Sequence, residues 1–299
     1  MFCLAYPEIK ILHNNPELAG LAYTVRDVVF SHVVPEGLKL ALMLPWHEKG
    51  DVHPTKRPLI VYVQGSGWTF PNIDKQIPQL SQYARAGFAV ATVTHRNAAE
   101  GHPFPAYLED VKTAIRFLRA HAEEYGIDSQ RVCIYGTSSG GNTSLLVGLT
   151  GDDARFKTEE YKEYSDAVQC VVECFGPTDL MKMLSEQYID MMLDPALDHT
   201  PFIESFRGLV GDMDVRRVLK EMSPVSYIDS CERIPPTLIV HGDADEIVPY
   251  EQGTLMLEKL HDAGAIVRMI CVKDAPHSGS FWSERVHQEI QSFIGTYIK

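Results

Sequence analysis

From about residue 59 onward, the hydrophobic positions of this chain fall into two textures. Short runs rich in Val, Ile and Tyr alternate with longer segments whose apolar residues recur at helical spacing; the runs are LIVYV (59–63), FAVATV (88–93), VCIY (132–135), VQCVVECF (168–175), TLIV (237–240) and VRMICV (267–272). Each run is too short for a helix and ends in Gly, Pro, Asp or a polar turn, so all six are expected to be strands of a sheet buried on both faces.

Between them, AYLEDVKTAIRFLRAHAEEYG (106–126) sets Val111, Ile115, Leu118 and Ala122 on one helical face, with Gly126 as the C-cap. QLSQYARAG, SLLVGLTG, YEQGTLMLEKLHDAG and the terminal WSERVHQEIQSFIGTYI are further helices. Alternating β and α elements imply a mainly parallel sheet with right-handed crossovers. Ahead of it, TVRDVVFSHV and LKLALMLP flank Pro35-Glu36-Gly37 as an antiparallel hairpin would. Residues 178–225 break the rhythm: they carry many Met and aromatic residues but no β run, and are read as a helical cap inserted between two strands. A Met-rich stretch of this kind packs a core and can also cover a site.

Composition changes this picture little. One domain over residues 1–299 is expected at this length, and 45% hydrophobic with 22% charged residues is ordinary for a globular chain. The formal net charge of -13 opposes phosphate backbones and anionic membranes, so neither nucleic acid nor a membrane is expected as a partner. The N-terminal stretch has no basic region followed by a long apolar run, and nowhere do 18 apolar residues follow one another. Cys3, Cys133, Cys170, Cys174, Cys231 and Cys271 show no metal-type spacing, which fits reduced thiols in a cytoplasmic protein. Oligomeric state leaves no mark in the sequence.

The chemistry concentrates in VCIYGTSSGGN (132–142), where Gly136, Ser138 and Gly140 form G-x-S-x-G at a strand-to-helix junction. A serine forced into a strained turn there needs neighbours without side chains two positions away on either side, so that strand and helix can approach. Ser139 lacks such glycines at both offsets, and its backbone N–H is better cast as an oxyanion donor. A serine hydroxyl needs a base, and the base an orienting carboxylate. Both occur in the order Ser, Asp, His: HGDADEIVP follows TLIV with Asp243 and Asp245, and KDAPHSG follows VRMICV with His277. Asp243 directly follows Gly242 and is suited to shaping the turn, whereas Asp245 lies further out and is taken as the acid. His241, at a strand end, is read as structural. YVQGSGW (62–68) puts small residues after the first parallel strand, so the amides of Ser66 or Gly67 can supply the other half of an oxyanion hole, and Trp68 can wall the acyl pocket or pack.

Together these segments resemble the α/β-hydrolase superfamily, in particular small carboxylesterases of acetyl- and feruloyl-esterase type. HPFPAYLEDVKTAIRFLRAHAEEYGID, FGPTDL (175–180) and SPVSYI (223–228) carry the resemblance, which runs from about residue 38 to the C-terminus. It implies an eight-stranded sheet flanked by helices, with Ser138 as nucleophile, Asp245 as acid and His277 as base. Two departures stand out: the family's HGGGW reads QGSGW here, and His95 stands where relatives commonly carry an aromatic residue. The expected activity is hydrolysis of small-molecule esters with short or aromatic acyl groups through an acyl-enzyme, needing no metal or organic cofactor. HGDADEIVPYEQGTLMLEKLHDAG is also similar to prolyl-oligopeptidase-like serine peptidases, which keeps a small peptidase or amidase as an alternative. A non-catalytic binding protein of the same fold would have no need of all three residues.

Overall fold

A computed structural model describes residues 9–46, 56–194, 196 and 201–299. Cys3, the N-terminal stretch that bears on targeting, and part of the 178–225 segment lie outside the described residues. Eight strands form one sheet: β1 Ala22–Ser31, β2 Leu38–Pro45, β3 Arg57–Val63, β4 Ala89–Val93, β5 Ile127–Thr137, β6 Cys170–Cys174, β7 Thr237–Gly242 and β8 Val267–Val272. Their spatial order is β1-β2-β4-β3-β5-β6-β7-β8. β1 pairs with β2 and β2 with β4 antiparallel, and every later pairing is parallel. β8 is an edge strand and only half-buried, so the expectation of burial on both faces fails there for want of a neighbour.

The helices that cover the sheet are α1 Ile77–Arg85, α2 Ala106–Ala120, α3 Ala122–Tyr125, α4 Ser139–Leu149, α5 Leu180–Met183, α6 Glu186–Leu193, α7 Pro201–Val210, α8 Val215–Glu221, α9 Tyr250–Asp262 and α10 Glu284–Ile298. Alternation along each strand sorts the core into two layers. Leu59, Val61, Val63 and Ile134 face Val111, Ile115, Leu145 and Met256 of α2, α4 and α9. Ile60, Tyr62, Cys133 and Tyr135 face Leu80, Tyr83, Ile290 and Phe293 of α1 and α10. Among the described residues, no helix is long and apolar enough to cross a membrane.

The single helix expected over 106–126 breaks at His121, whose Nδ1 lies 2.9 Å from the Phe117 carbonyl, before the short α3 ends on left-handed Gly126. α2 also buries more than its apolar face. Residues 151–169 fold across its polar side, where Asp166 lies 2.8 Å from both Lys112 Nζ and Arg116 Nη1, all three side chains fully buried. Arg116 also donates from Nη2 to Thr113 and Thr158 and from Nε to the Glu160 carbonyl, so the guanidinium is tied to the covering segment at several points. Between β6 and β7, α5 to α8 stand where one crossover helix would suffice, and α7 packs on the turn at Ala98–Glu100 with the Phe104 amide donating to the Leu209 carbonyl at 3.0 Å.

Removing Asp166 would strand two buried cations. Asp166→Ala is therefore expected to destabilise the fold by about 3–5 kcal/mol, seen as a lowered urea midpoint, whereas cutting the exposed Lys162–Glu159 pair should leave the midpoint in place.

Candidate active site

The site is built around the junction of β5 and α4. Ser138 sits between them with φ 53° and ψ -125°, a left-handed conformation that costs a non-glycine residue about 1–3 kcal/mol. Its amide donates to the Cys174 carbonyl of neighbouring β6 at 2.9 Å, and its own carbonyl accepts from Asn142 at 3.1 Å, so the strained residue is held from both sides. The flanking glycines are steric necessities. A Cβ on Gly136 would come 2.0 Å from the Gly140 carbonyl oxygen, and one on Gly140 would come 2.1 Å from the carbonyl oxygen of Val63.

The loop after β7 delivers Asp245 and the loop after β8 delivers His277. His277 Nε2 lies 3.0 Å from Ser138 Oγ, and His277 Nδ1 lies 2.7 Å from Asp245 Oδ2. Three side chains distant in sequence thus converge, with the serine facing one imidazole nitrogen and the carboxylate the other. The Phe175 ring, itself at φ 43°, packs edge-on against the His277 ring at 4.7 Å and fixes its plane. Burial alone would raise the Asp245 carboxyl, but contacts with His241 and His277 and the amides of Ile247 and Val248, each 2.9 Å from Oδ1, hold it well below the usual carboxylate range. Asp243 is turned away: its oxygens meet Lys273 Nζ at 2.9 Å and the Asp274 amide at 2.5 Å.

The loop after β3 is bolted to the same junction. The Gly65 amide donates to Thr137 Oγ1 at 3.0 Å, Tyr62 Oη lies 3.2 Å from that hydroxyl, and the Ser66 amide donates to Ser139 Oγ at 2.9 Å. The Ser66 amide is thereby engaged with the side chain of Ser139, a contact that motif reading did not anticipate. The Ser139 amide lies at the first turn of α4, where no carbonyl of the same helix is available to accept it. Gly67 and Trp68 continue the loop with φ of 62° and 59°. Trp68 packs partly buried against Tyr107, ring centroids 6.2 Å apart, beside fully buried His95. Burial drives the His95 imidazole down to about 4, so it is neutral at pH 7.

Of two groups behind the junction, Glu173 escaped the sequence reading and His241 was read only as structural. Glu173 of β6 is completely buried, with Oε2 accepting the Gly176 amide at 2.8 Å and Oε1 without a partner among the described residues. His241 at the end of β7 is equally buried. A Glu inside an apolar strand run, VVECF, was the one visible signal. No group of His, Cys, Asp and Glu among the described residues is arranged to hold a metal ion.

These features define an α/β-hydrolase fold with a Ser-His-Asp arrangement at the carboxyl edge of its parallel strands. The chain belongs to the BD-FAE family, whose model matches residues 47–260. Esterase LipC of Mycobacterium tuberculosis is 27% identical over 72% of this chain and 51% of its own length. The chain spans about half the length of the curated relatives it matches. Among solved structures, a truncated form of a carbohydrate esterase from gut microbiota superposes with a TM-score of 0.74 at 28% identity, covering 92% of this chain and 95% of that one. A butyrate-bound thermophilic esterase of Thermogutta terrifontis, Est2, gives 0.69 at 25% identity over 94% and 93%.

Burial pushes the Glu173 carboxyl from its ordinary 4.5 up to about 7, against the nearby His241 and the Gly176 amide, which pull it down. An acid raised on folding costs stability as pH climbs through the interval between its unfolded and folded values, and costs no more above it. The melting temperature of Glu173→Gln relative to the parent should accordingly rise between about pH 4.5 and pH 7 and level off beyond; thermal unfolding across that range checks this, and a difference independent of pH would refute it.

Proposed function

We propose that this protein is a serine carboxylesterase that hydrolyses esters of short acyl groups, of about two to four carbons, by way of an acyl-enzyme. The observation that carries the reading is the unbroken line of contacts from Ser138 Oγ through His277 to Asp245, at 3.0 and 2.7 Å. In the first step, His277 Nε2 takes the proton of Ser138 as its oxygen attacks the ester carbonyl, and Asp245 keeps the imidazole in the tautomer with Nδ1 protonated. The negative oxygen of the tetrahedral intermediate is met by the amide of Ser139, with Gly67 as the second donor on the loop that Ser139 Oγ fastens to the junction through the Ser66 amide. The imidazolium returns its proton to the departing alcohol. Water then repeats the sequence on the acyl-serine, giving up a proton to His277, and the free acid leaves.

Trp68, on the loop after β3, packs against buried Tyr107, which in turn meets Phe104, so the side chain expected to wall the acyl group is itself backed by core. The butyrate bound in the similar Thermogutta esterase supports the short acyl range. Likeness to a carbohydrate esterase supports an acylated sugar as the alcohol side of the substrate. The free thiols of Cys133, Cys170, Cys174, Cys231 and Cys271 accord with a cytoplasmic setting.

Ser138→Ala is expected to lower kcat/KM for p-nitrophenyl acetate by about 10⁴-fold or more, with the circular dichroism spectrum unchanged. Asp245→Asn should cost about 10³- to 10⁴-fold and Asp243→Asn far less; the reverse ranking would move the acid role. Turnover of nitrophenyl esters should fall steeply beyond the butyryl chain, and acetylated xylose should be cleaved in preference to acetanilide, the amide that would mark an amidase.

A further inference from the structure

His241 is fully buried at the carboxyl end of β7, and its Nε2 lies 2.9 Å from the Val248 carbonyl oxygen and 3.4 Å from Asp245 Oδ2. Both neighbours are acceptors only, so Nε2 must carry a proton. Asp245 Oδ2 is also the oxygen that His277 Nδ1 meets at 2.7 Å, while Oδ1 takes the amides of Ile247 and Val248. The carboxylate is therefore clamped between two imidazoles. The two amides ride on the same loop as Asp245, and His277 rides on the next loop, whereas His241 is rooted in the sheet.

The His241 ring has little freedom. The Tyr250 ring stands edge-on at 5.8 Å, and Gly253 of α9 presses so close that a Cβ there would come 2.9 Å from His241 Nδ1 and 2.9 Å from Met269 Cε. From β6, Glu173 shares its sheet face, two register positions back along the strand pair. Burial opposes a charge on His241, but Asp245, Glu173 and the Val248 carbonyl outweigh it and favour the imidazolium.

We propose that His241 is a positioning residue of the hydrolytic reaction, a sheet-anchored donor that fixes Asp245 Oδ2 and shares its negative charge with His277. The inference rests on the triad reading given above. At 3.4 Å the contact is long for a hydrogen bond, so its effect on Asp245 is chiefly electrostatic, from the positive Nε2–H edge of an imidazole whose acidic neighbours favour its charged form, with the shorter bond to Val248 holding the ring in place. Without it, Asp245 would be held by its own loop and by His277, with no contact to the sheet, and its whole charge would act on His277. The first change slows the chemical step; the second makes the His277–Asp245 pair harder to deprotonate. A residue that only filled space would produce the first effect without the second.

His241→Met and His241→Gln separate the two in the 299-residue chain. The Met variant is expected to lose about 10- to 100-fold in kcat for p-nitrophenyl acetate with KM within about twofold, and the acid limb of its kcat/KM profile should move to higher pH by about half a unit. The Gln variant keeps an N–H donor at similar reach, so kcat should recover to within several-fold while the limb stays displaced. Parent-like kcat and limb in both variants would overturn the proposal, as would equal losses in both with the limb unmoved. Should the Met variant fail to fold, ¹⁵N-histidine spectra of the parent, assigned by the resonance missing in His241→Gln, still decide: a protonated His241 Nε2 at pH 7 supports the role and an unprotonated one ends it. A fluorophosphonate probe keeps this apart from the triad reading. No labelling of the parent at Ser138 overturns both, whereas a labelled parent with fully active His241 variants overturns this inference alone.

Discussion

The contact on which the rest of this molecule depends is the near-collision of β5, α4 and β3 around Ser138. The nucleophile candidate can be lifted out of the sheet only if the chain reverses within one residue, and that reversal puts Ser138 at φ 53°. Backbone then lies against backbone, with the Gly136 and Gly140 positions about 2 Å from carbonyl oxygens if they bore side chains. A conformation of this cost persists only where its surroundings over-determine it, and here the Cys174 carbonyl and the Asn142 amide do so from β6 and α4.

The same junction organises the neighbouring loops. Thr137, Ser138 and Ser139 are consecutive, yet each side chain serves a different partner: Thr137 takes the Gly65 amide, Ser138 faces His277, and Ser139 takes the Ser66 amide. One turn of chain thus sets the candidate nucleophile and the loop after β3 in a common frame. The replacement of a glycine by Ser66 is tolerated because its hydroxyl is spent locally, donating to the Thr69 carbonyl at 2.7 Å.

Buried charge recurs in two places with different outcomes. Under α2, the carboxylate of Asp166 compensates Lys112 and Arg116, and the result is a rigid anchor for the segment between α4 and β6. Behind the active site, Glu173, His241, Asp245 and His277 form a string of titratable groups running from sheet interior to cleft. Such strings are expensive to bury, and they cluster where a reaction needs its acid and base held at defined protonation.

Much of this was written in the one-dimensional pattern, and the reasons are local. The strands show as β-branched runs because the sheet is covered on both sides, and the junction shows as G-x-S-x-G because sterics admit little else between Gly136 and Gly140. Asp245 and His277 are legible by their places after β7 and β8, since parallel strands all deliver their following loops to one edge. What pattern could not decide is anything that depends on two segments meeting sideways. The burial of the polar face of α2, the tie between Ser139 Oγ and the Ser66 amide, the exposure of β8 and the contact of His241 with Asp245 all arise from pairings across tens of residues, where no spacing rule applies. The sequence by itself determined which side chains are the candidates for chemistry and which edge of the sheet receives them; only tertiary packing decided which neighbours orient those side chains, because hydrogen bonds between distant loops are set by distance in space and leave no period in the chain.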